Sequence, residues 1–346
     1  SWHPCCPVNP QNNGNTSVWI STVQAPEFWR RNGILAWCLQ PLAWLYDALG
    51  RLRWAISTPR QVDVPVICIG NLVAGGAGKT PTALAVGRAL ARRGIAAHFL
   101  SRGHGGRLTG PLQVDPNRHD ANDVGDEPLL LAAAGPAWIS RDRAKGARAA
   151  IAAGAQAIIM DDGFQNPGLA KDLSLLVIDA AYGLGNGRVH PAGPLRESIA
   201  VGLARAQGIV LLQTGETPAF LPDFRLPILT ARLIPDATAL ILRGQKVLAF
   251  AGIGRPERFF HTVRELGAEV VGVQAFPDHH PYREDEIWKL VEAAQSQGGL
   301  AVTTAKDAVR LPAQASAMVT VIDVALEFDN VPDLDFLLDR TLGTSP

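Results

Sequence analysis

The sequence predicts an α/β protein in which a mostly parallel sheet has helices on both faces and a second, smaller α/β domain follows. Strand-like apolar runs alternate with helix-like segments from Val62 to about Thr214, and such alternation is typical of parallel sheets. A shorter series of the same kind begins at Lys246. At 346 residues the chain is long enough for two domains with sizeable cores.

The composition excludes several classes of protein. Hydrophobic residues make up 47% of the chain and charged residues 18%, as in a folded enzyme. The formal net charge is zero, so we expect no nucleic-acid partner, and no obligate protein partner is evident. Cys5, Cys6, Cys38 and Cys68 lack metal-ligand spacing, and such sparse use of cysteine fits a reducing compartment.

The N-terminal part of the chain divides into two segments of different character. Residues 1–24 are polar and aperiodic, which predicts a disordered tail, either an expression remnant or an upstream start. Residues 25–60 contain leucines at helical spacing, with tryptophans among them and arginines at both ends. This pattern predicts an amphipathic helix from Glu27 to Ile56 that contacts a membrane. The alternative is an amphipathic helix that packs on the protein itself.

The expected domains are a first one over 61–214, a connecting region over 215–245 and a second one over 246–346. Strand patterns in the first domain lie at 64–69, 96–100, 157–161, 174–178 and 208–212. Helical patterns in the same domain lie at 80–93, 126–134, 141–153 and 198–206. Strand patterns in the second domain lie at 246–252, 269–273, 299–303 and 318–322.

A glycine-rich loop separates the first of these strands from the first helix, as in a P-loop NTPase-like domain. We expect ATP to be bound by Gly75, Gly76, Ala77, Gly78, Lys79 and Thr80. Backbone N–H groups would wrap the phosphates, Lys79 would reach the β- and γ-phosphates, and the Thr80 hydroxyl would hold Mg²⁺. The Lys79 side chain should be exposed in an empty site. Val73 stands where the full motif has glycine, so a chance Gly-Lys-Thr remains the alternative.

Paired carboxylates occur at two further places. Asp161 and Asp162 end an apolar strand, where an acid beside a phosphate loop holds Mg²⁺; the alternative is a turn before Gly163. Asp126 and Glu127 stand at a predicted helix start. Taken by itself, this pair is better explained by helix capping, but a phosphotransferase needs a base near its acceptor hydroxyl, so both residues remain candidates.

Other polar clusters follow the ends of strands. His279 and His280 lie in a polar loop, where base chemistry or the orientation of a carboxylate is at least as plausible as metal binding. Arg102, Arg188 and Arg196 follow strand ends among glycines and prolines, which suits anion binding, with surface ion pairs as the alternative.

Taken together, six ordered segments resemble the tetraacyldisaccharide 4′-kinases of lipid A biosynthesis. The segments are Gly70-Asn71-Leu72 with Gly75-Gly76-Ala77-Gly78-Lys79-Thr80, Val124-Gly125-Asp126-Glu127-Pro128, Asp161-Asp162-Gly163-Phe164-Gln165, Pro191-Ala192-Gly193-Pro194-Leu195-Arg196-Glu197, Phe276-Pro277-Asp278-His279 and Thr303-Thr304-Ala305-Lys306-Asp307. They cover residues 25 to about 335, and the ordered set is far more specific than any one segment.

The resemblance implies an ATP- and Mg²⁺-dependent kinase that phosphorylates the 4′-hydroxyl of a tetraacyldisaccharide 1-phosphate to give lipid IVA. It implies a peripheral enzyme on the cytoplasmic face of the bacterial inner membrane. It further implies that Asp126 is the catalytic base, assisted by His279 from the second domain, with Lys79 acting on the phosphates. The substrate-facing residues would be Asn71, Arg102, Glu127, Gln165, Arg188 and Arg196.

The sequence departs from the family pattern at His104, Arg107 and Asn166, which leaves the roles of these residues open. One alternative function is an ATPase of the partitioning or metallochaperone type, but its signature lysine is replaced by Ala74. Another is a cytosolic small-molecule kinase or ligase, which would leave the tryptophan-rich helix unexplained.

Overall fold

The computed structural model describes residues 18–19, 26–75, 78–213 and 224–343, and the strands in this part of the chain form two sheets. The strands are β1 (Val18–Trp19), β2 (Val66–Gly70), β3 (Ala97–Ser101), β4 (Leu112–Gln113), β5 (Ala137–Ile139), β6 (Ala157–Asp161), β7 (Leu173–Asp179), β8 (Gly208–Gln213), β9 (Ile228–Pro235), β10 (Lys246–Ala251), β11 (Glu269–Ala275), β12 (Leu300–Thr304), β13 (Val319–Ile322) and β14 (Val324–Phe328).

Helices connect most of these strands. They are α1 (Ile34–Cys38), α2 (Gln40–Ala55), α3 (Lys79–Arg92), α4 (Ala121–Val124), α5 (Asp126–Ala134), α6 (Arg143–Ala152), α7 (Ile199–Leu203), α8 (Pro256–Glu265), α9 (Glu284–Ser296), α10 (Ala305–Ala308), α11 (Ala313–Ser316) and α12 (Val331–Leu342). Two 3₁₀-helices lie at Glu27–Trp29 and Ala237–Leu242.

The larger sheet has nine strands in the order β14-β9-β8-β7-β2-β6-β3-β5-β4, and it is parallel except for its two edge strands. Strand β2 lies between β7 and β6, so the loop that follows it opens near the middle of the carboxyl edge. The smaller sheet has five strands in the order β1-β11-β10-β12-β13, all parallel.

Both faces of the larger sheet are covered by helices, which explains the continuous apolar runs in its strands. Ile67 and Ile69 of β2 pack into a cluster with α3, α5 and α12, whereas Val66 and Cys68 pack into a cluster with α2 and α6. The smaller sheet is covered in the same way, with α8 on one face and α9 with α11 on the other. The predicted α/β class with its mostly parallel sheet is confirmed.

Sheet membership differs from the expected division of the chain. Strand β9 lies inside the region 215–245 that was expected to be a connection, and β14 follows the second sheet, yet both strands belong to the larger sheet. Prolines suggested a loop at 215–245, but Pro235 stands at the end of β9 and Pro227 just before it, where a strand tolerates proline. The short strands β4 and β5 and the C-terminal helix α12 were also not anticipated.

The N-terminal helix is divided into pieces rather than continuous from Glu27 to Ile56. A 3₁₀-helix, α1 and α2 follow one another, and Pro41 occupies the first turn of α2. No helix in the described part of the chain is long and apolar enough to cross a membrane. Of the expected disordered tail, 1–17 and 20–24 lie outside the described residues.

Candidate active site

The phosphate loop follows β2 and leads into α3, as predicted. Gly78 caps α3 with a φ of 78°, and Gly75 has a φ of 111°; both angles favour glycine. The Asn71 side chain donates a hydrogen bond to the Gly75 carbonyl at 3.2 Å and so braces the start of the loop. Gly76 and Ala77, predicted to bind nucleotide, lie outside the described residues.

The predicted magnesium ligands meet at the end of β6. The Thr80 hydroxyl donates a hydrogen bond to Asp161 Oδ2 at 2.9 Å, and the Oδ1 atom of this buried carboxylate has no hydrogen-bond partner. Burial, together with the charges of Glu127 and Asp162, raises the pKa of Asp161 to about 7. A buried carboxylate with a free oxygen is suited to receive a divalent cation.

No group of three or more His, Cys, Asp or Glu residues that could hold a metal by itself occurs among the residues described. In kinase and ATPase sites, Mg²⁺ is usually bound through one or two carboxylates together with the substrate phosphates. The donor set of Thr80, Asp161 and Asp162 therefore fits a Mg²⁺ ion that arrives with ATP.

Lys79 is buried, which corrects the expectation that its side chain would be exposed. Its Nζ donates to the Gly75 carbonyl at 3.3 Å and lies 3.7 Å from Asp162 Oδ1. Asp162 also accepts a hydrogen bond from Arg196 at 2.8 Å. Burial alone would raise the pKa of Asp162, but Lys79 and Arg196 outweigh it and hold the pKa below its usual value. Lys79 is thus paired with a carboxylate beside the phosphate loop.

Asp126 and His279 meet across the two sheets, as the sequence predicted. His279 Nδ1 lies 2.9 Å from Asp126 Oδ2. Asp126 is the first residue of α5, and Gly125 before it has a φ of 88°; a Cβ at Gly125 would lie 2.3 Å from the His104 carbonyl oxygen. The glycine therefore permits the sharp turn that directs Asp126 toward the second sheet.

The charges around this pair favour ionised Asp126. Burial would raise its pKa, but the hydrogen bond from His279 and the charges of Lys306 and Arg310 lower the pKa to about 2. The same hydrogen bond raises the pKa of His279 above its ordinary value. The His279 backbone has a φ of 60°, an uncommon conformation for a residue other than glycine.

Arg310 and Asp307 brace the loop that contains His279, a role that the sequence did not reveal. Asp307 is completely buried and accepts hydrogen bonds from the Gly252 N–H, the Tyr282 hydroxyl and Arg310. Arg310 also donates to the carbonyl of His280 and lies 3.8 Å from Asp126 Oδ2. The available signal was the spacing of three between Asp307 in α10 and Arg310 in the turn that follows this helix.

Arg143 is a second residue that the sequence analysis missed. Its side chain is buried, its Nη1 donates to the Ser140 carbonyl, and its Nε has no hydrogen-bond partner. Burial lowers the pKa of Arg143 to about 10, with Arg102 adding to the effect and Asp162 opposing it. A buried guanidinium with an unused donor near the carboxylates is suited to contact an anion.

The predicted substrate residues fall into two groups. Gln165 and Arg196 join the site directly, since Gln165 donates to the Asn71 carbonyl at 2.9 Å and to Glu197 at 3.0 Å. Glu127 is half-buried and close enough to Asp161 for its charge to raise the pKa of that residue.

Arg188 and Arg102 stand apart from this network. Arg188 lies over the Trp37 ring at 4.0 Å and donates to Asn32 and Gln40, so it anchors the N-terminal helices. Arg102 is exposed at the end of β3, where its charge acts on Arg143.

Comparison with known proteins agrees with this geometry. The family model for tetraacyldisaccharide-1-P 4′-kinase (LpxK) matches residues 35–343. A curated tetraacyldisaccharide 4′-kinase from Rhodospirillum rubrum is 52% identical, covering 94% of this chain and 100% of that protein. One from Rhodospirillum centenum is 54% identical, covering 93% and 97%.

The fold agrees with a solved structure as well. A crystal structure of the "apo" form of LpxK from Aquifex aeolicus in complex with ATP superposes with a TM-score of 0.71 and 26% identity, covering 89% of this chain and all of that one. The resemblance inferred from the six segments is confirmed, and the chain belongs to the tetraacyldisaccharide-1-P 4′-kinase family.

Proposed function

We propose that the protein transfers the γ-phosphoryl group of ATP to the 4′-hydroxyl of a tetraacyldisaccharide 1-phosphate. Family membership and curated relatives at about 50% identity support this activity, and ATP appears in the related crystal structure. The single observation that carries the proposal is the contact between Asp126 and His279, because a non-kinase ATPase needs no carboxylate–imidazole pair opposite its phosphate loop.

In this mechanism Asp126 receives the proton of the 4′-hydroxyl while the hydroxyl oxygen forms a bond to the γ-phosphorus of ATP. The bond from that phosphorus to the oxygen bridging to the β-phosphate breaks, and ADP leaves. An ionised carboxylate with a pKa of about 2 is a weak base, but the hydroxyl becomes strongly acidic as the new O–P bond forms. His279 orients the carboxylate by its hydrogen bond.

Electrostatic stabilisation comes from the other half of the site. Lys79 leaves Asp162 for the β- and γ-phosphates, and Arg196 remains to pair with that carboxylate. Thr80 and Asp161, with Asp162, would hold the Mg²⁺ that neutralises charge on the phosphates. Arg143 lies close enough to these carboxylates to contribute a further positive charge.

The activity is tested by incubating the protein with γ-labelled ATP and a tetraacyldisaccharide 1-phosphate in mixed micelles. We expect the label to appear in the lipid. The matched control is the same acceptor lacking its 4′-hydroxyl, which should remain unlabelled. Release of labelled inorganic phosphate at equal rates with and without the lipid would instead favour an ATPase.

The N-terminal helices form the membrane-contacting surface of the enzyme in this proposal. Ala36 and Ala43 are completely buried against the protein, whereas Leu42, Leu45 and Leu49 are more than half exposed. Exposed tryptophans and isoleucines extend this surface, with arginines at its ends. Such a helix lies in the interface with its apolar side among the acyl chains, and the acceptor lipid would reach the active site from there.

Membrane contact is tested with the triple substitution of Leu42, Leu45 and Leu49 by Glu. Each leucine should contribute about 25 cal/mol to the free energy of membrane binding for every Å² of apolar surface withdrawn from water. The three substitutions remove this contribution, so sedimentation with anionic vesicles should be lost. Leu240→Glu is the control, because Leu240 is 70% exposed, more than any of the three leucines, and lies on the 3₁₀-helix Ala237–Leu242, so its replacement should not affect binding. Sedimentation of the triple variant with vesicles would reject this surface as the anchor.

A further inference from the structure

A second contact between the two sheets lies at Asp179, the last residue of β7. Its carboxylate accepts two hydrogen bonds from Arg258, at 2.5 and 3.0 Å, and one from Arg255 at 2.8 Å. Both arginines come from the second sheet's unit, where Arg255 caps α8 and Arg258 lies in its first turn. A forked guanidinium contact of this kind fixes direction as well as distance.

The Asp179 carboxylate is almost completely shielded from water. Its side chain is only 5% exposed, and Oδ1 also accepts a hydrogen bond from the Ala181 N–H at 3.0 Å. Burial would raise its pKa, but Arg258 and Arg255 outweigh the burial and lower the pKa below its usual value. The arginines therefore favour the charged form of Asp179, which is a well-defined partner for both of them.

The position of Asp179 in the sheet is informative. Strand β7 is the neighbour of β2 on one side, whereas Asp126 begins α5, which packs against β3 and β5 on the other side of β2. The second unit thus contacts the larger sheet's unit at two places, one at the end of β7 and one at the start of α5. The Asp126 contact is the more exposed of the two, because the His279 side chain is 44% accessible and its backbone conformation is uncommon.

We propose that Asp179, Arg255 and Arg258 form a positioning clamp that holds His279 against Asp126. The proposal rests on the function proposed above for that pair as the catalytic base. The clamp acts by fixing the second unit relative to the larger sheet, so that a loop with an uncommon backbone conformation presents its imidazole at hydrogen-bond distance.

The clamp also borders the N-terminal segment. Arg255 lies over the Tyr182 ring at 4.6 Å, and Arg30 lies over the same ring at 5.9 Å. The loop after Tyr182 holds that segment, since the Asn186 N–H donates to the Trp29 carbonyl at 2.8 Å. The clamp therefore connects the second unit to the part of the chain that leads into the membrane-contacting helices.

The test is the substitution Asp179→Asn, which keeps the size of the side chain and removes its charge. We expect kcat to fall at least about tenfold, with KM for ATP within about twofold of wild type. The decrease in kcat should not exceed that of His279→Ala. The decrease in His279→Ala is in turn limited to the contribution of a positioned base, roughly 10²–10⁴-fold. In the double variant Asp179→Asn/His279→Ala, kcat should match that of His279→Ala alone. Both substitutions remove the same effect, the positioning of Asp126 by His279, so their losses should not add.

Asp335→Asn is the matched control. Asp335 also pairs with an arginine distant in sequence, Arg93 at 2.6 Å, but this pair joins α3 to α12 on the larger sheet and does not cross to the second unit. This variant should retain wild-type kcat. If Asp179→Asn fails to fold, Arg258→Lys replaces it, because lysine keeps the charge but loses the forked contact, and the same kinetic pattern is expected.

Three results would overturn the clamp. One is a raised KM for ATP with unchanged kcat, which would place these residues in nucleotide binding. Another is a folded Asp179→Asn or Arg258→Lys variant with wild-type kcat while His279→Ala is defective. The third is a double variant whose losses multiply. A wild-type kcat in His279→Ala would instead reject the assignment of the base, and the clamp with it.

Discussion

The two halves of the active site are built in different ways. The phosphate half consists of Lys79 and Thr80 at the start of α3 and Asp161 at the end of β6 in the larger sheet; the Thr80–Asp161 contact spans 81 residues of sequence. The base half consists of Asp126 and His279, which are 153 residues apart and belong to different sheets. The phosphate half lies within one sheet and the helix that packs on it, whereas the base half depends on how the two sheets are placed.

This difference has an energetic consequence. In the phosphate half, the parallel pairing of β2 with β6 brings Asp161 next to Ile69, and the backbone ladder holds the geometry. In the base half, the described contacts are side-chain hydrogen bonds and ion pairs between the two units. Substitutions in the first half should therefore act on chemistry alone, whereas those in the second should also act on geometry.

The largest effect is expected in the phosphate half, from Lys79→Met. Methionine keeps the length of the side chain and removes the cation, so kcat for phosphoryl transfer should fall on the order of 10³-fold. Arg196 still pairs with Asp162 in this variant, so the thermal midpoint should change little. Transfer is measured with γ-labelled ATP and folding by circular dichroism. Near-normal transfer by a folded variant would remove the basis for the nucleotide site.

The next effect is expected in the base half, from Asp126→Asn and His279→Ala. Each should lower kcat by roughly 10²–10⁴-fold while ATP binding persists, because a positioned base contributes about that much. The double variant should be little worse than the more damaged single one, because the two residues act as one unit. Single-turnover kinetics and ATP titration provide the measurements. Losses that multiply would instead make His279 an independent substrate contact.

The smallest effect is expected in the pH dependence of stability. The pKa of His279 is raised above 6.5. Its contribution to the free energy of unfolding is therefore fully present below pH 6.5 and is lost as the pH rises through the raised pKa. The pKa of Asp126 is lowered from 3.8 to about 2. Its contribution to the free energy of unfolding is therefore present above pH 3.8 and is lost as the pH falls toward 2. The pair should stabilise the fold most near pH 5.

Thermal melts of wild type and His279→Gln at about pH 5 and about pH 8.5 check this window. We expect the variant to melt lower by at most roughly 2 °C at the acidic pH, since His279 is partly exposed, with a smaller difference at the alkaline pH. His261→Gln is the control, because the His261–Glu265 pair lies on the exposed surface of α8 within one sheet's unit. An equal difference at both pH values would contradict the ionic character of the Asp126–His279 contact.

The sequence by itself determined most of the larger sheet and the phosphate half of the site. Its central strands are buried on both faces and therefore appear as continuous apolar runs. The glycine-rich loop was recognisable from the sequence although Val73 departs from the full motif, because Gly75 and Gly78 adopt positive φ values that few other residues accept. The motifs also identified the family and named Asp126 and His279 as partners through resemblance.

Only the tertiary structure decided what joins distant segments. Burial of Lys79 against Asp162 depends on the surrounding fold, and so do the bracing of the His279 loop by Arg310 and the contact of Asp179 with α8. The return of β14 to the larger sheet has the same origin. A local pattern reports the backbone conformation and the buried face of a segment, but the free energy of long-range contacts depends on which segments the fold brings together.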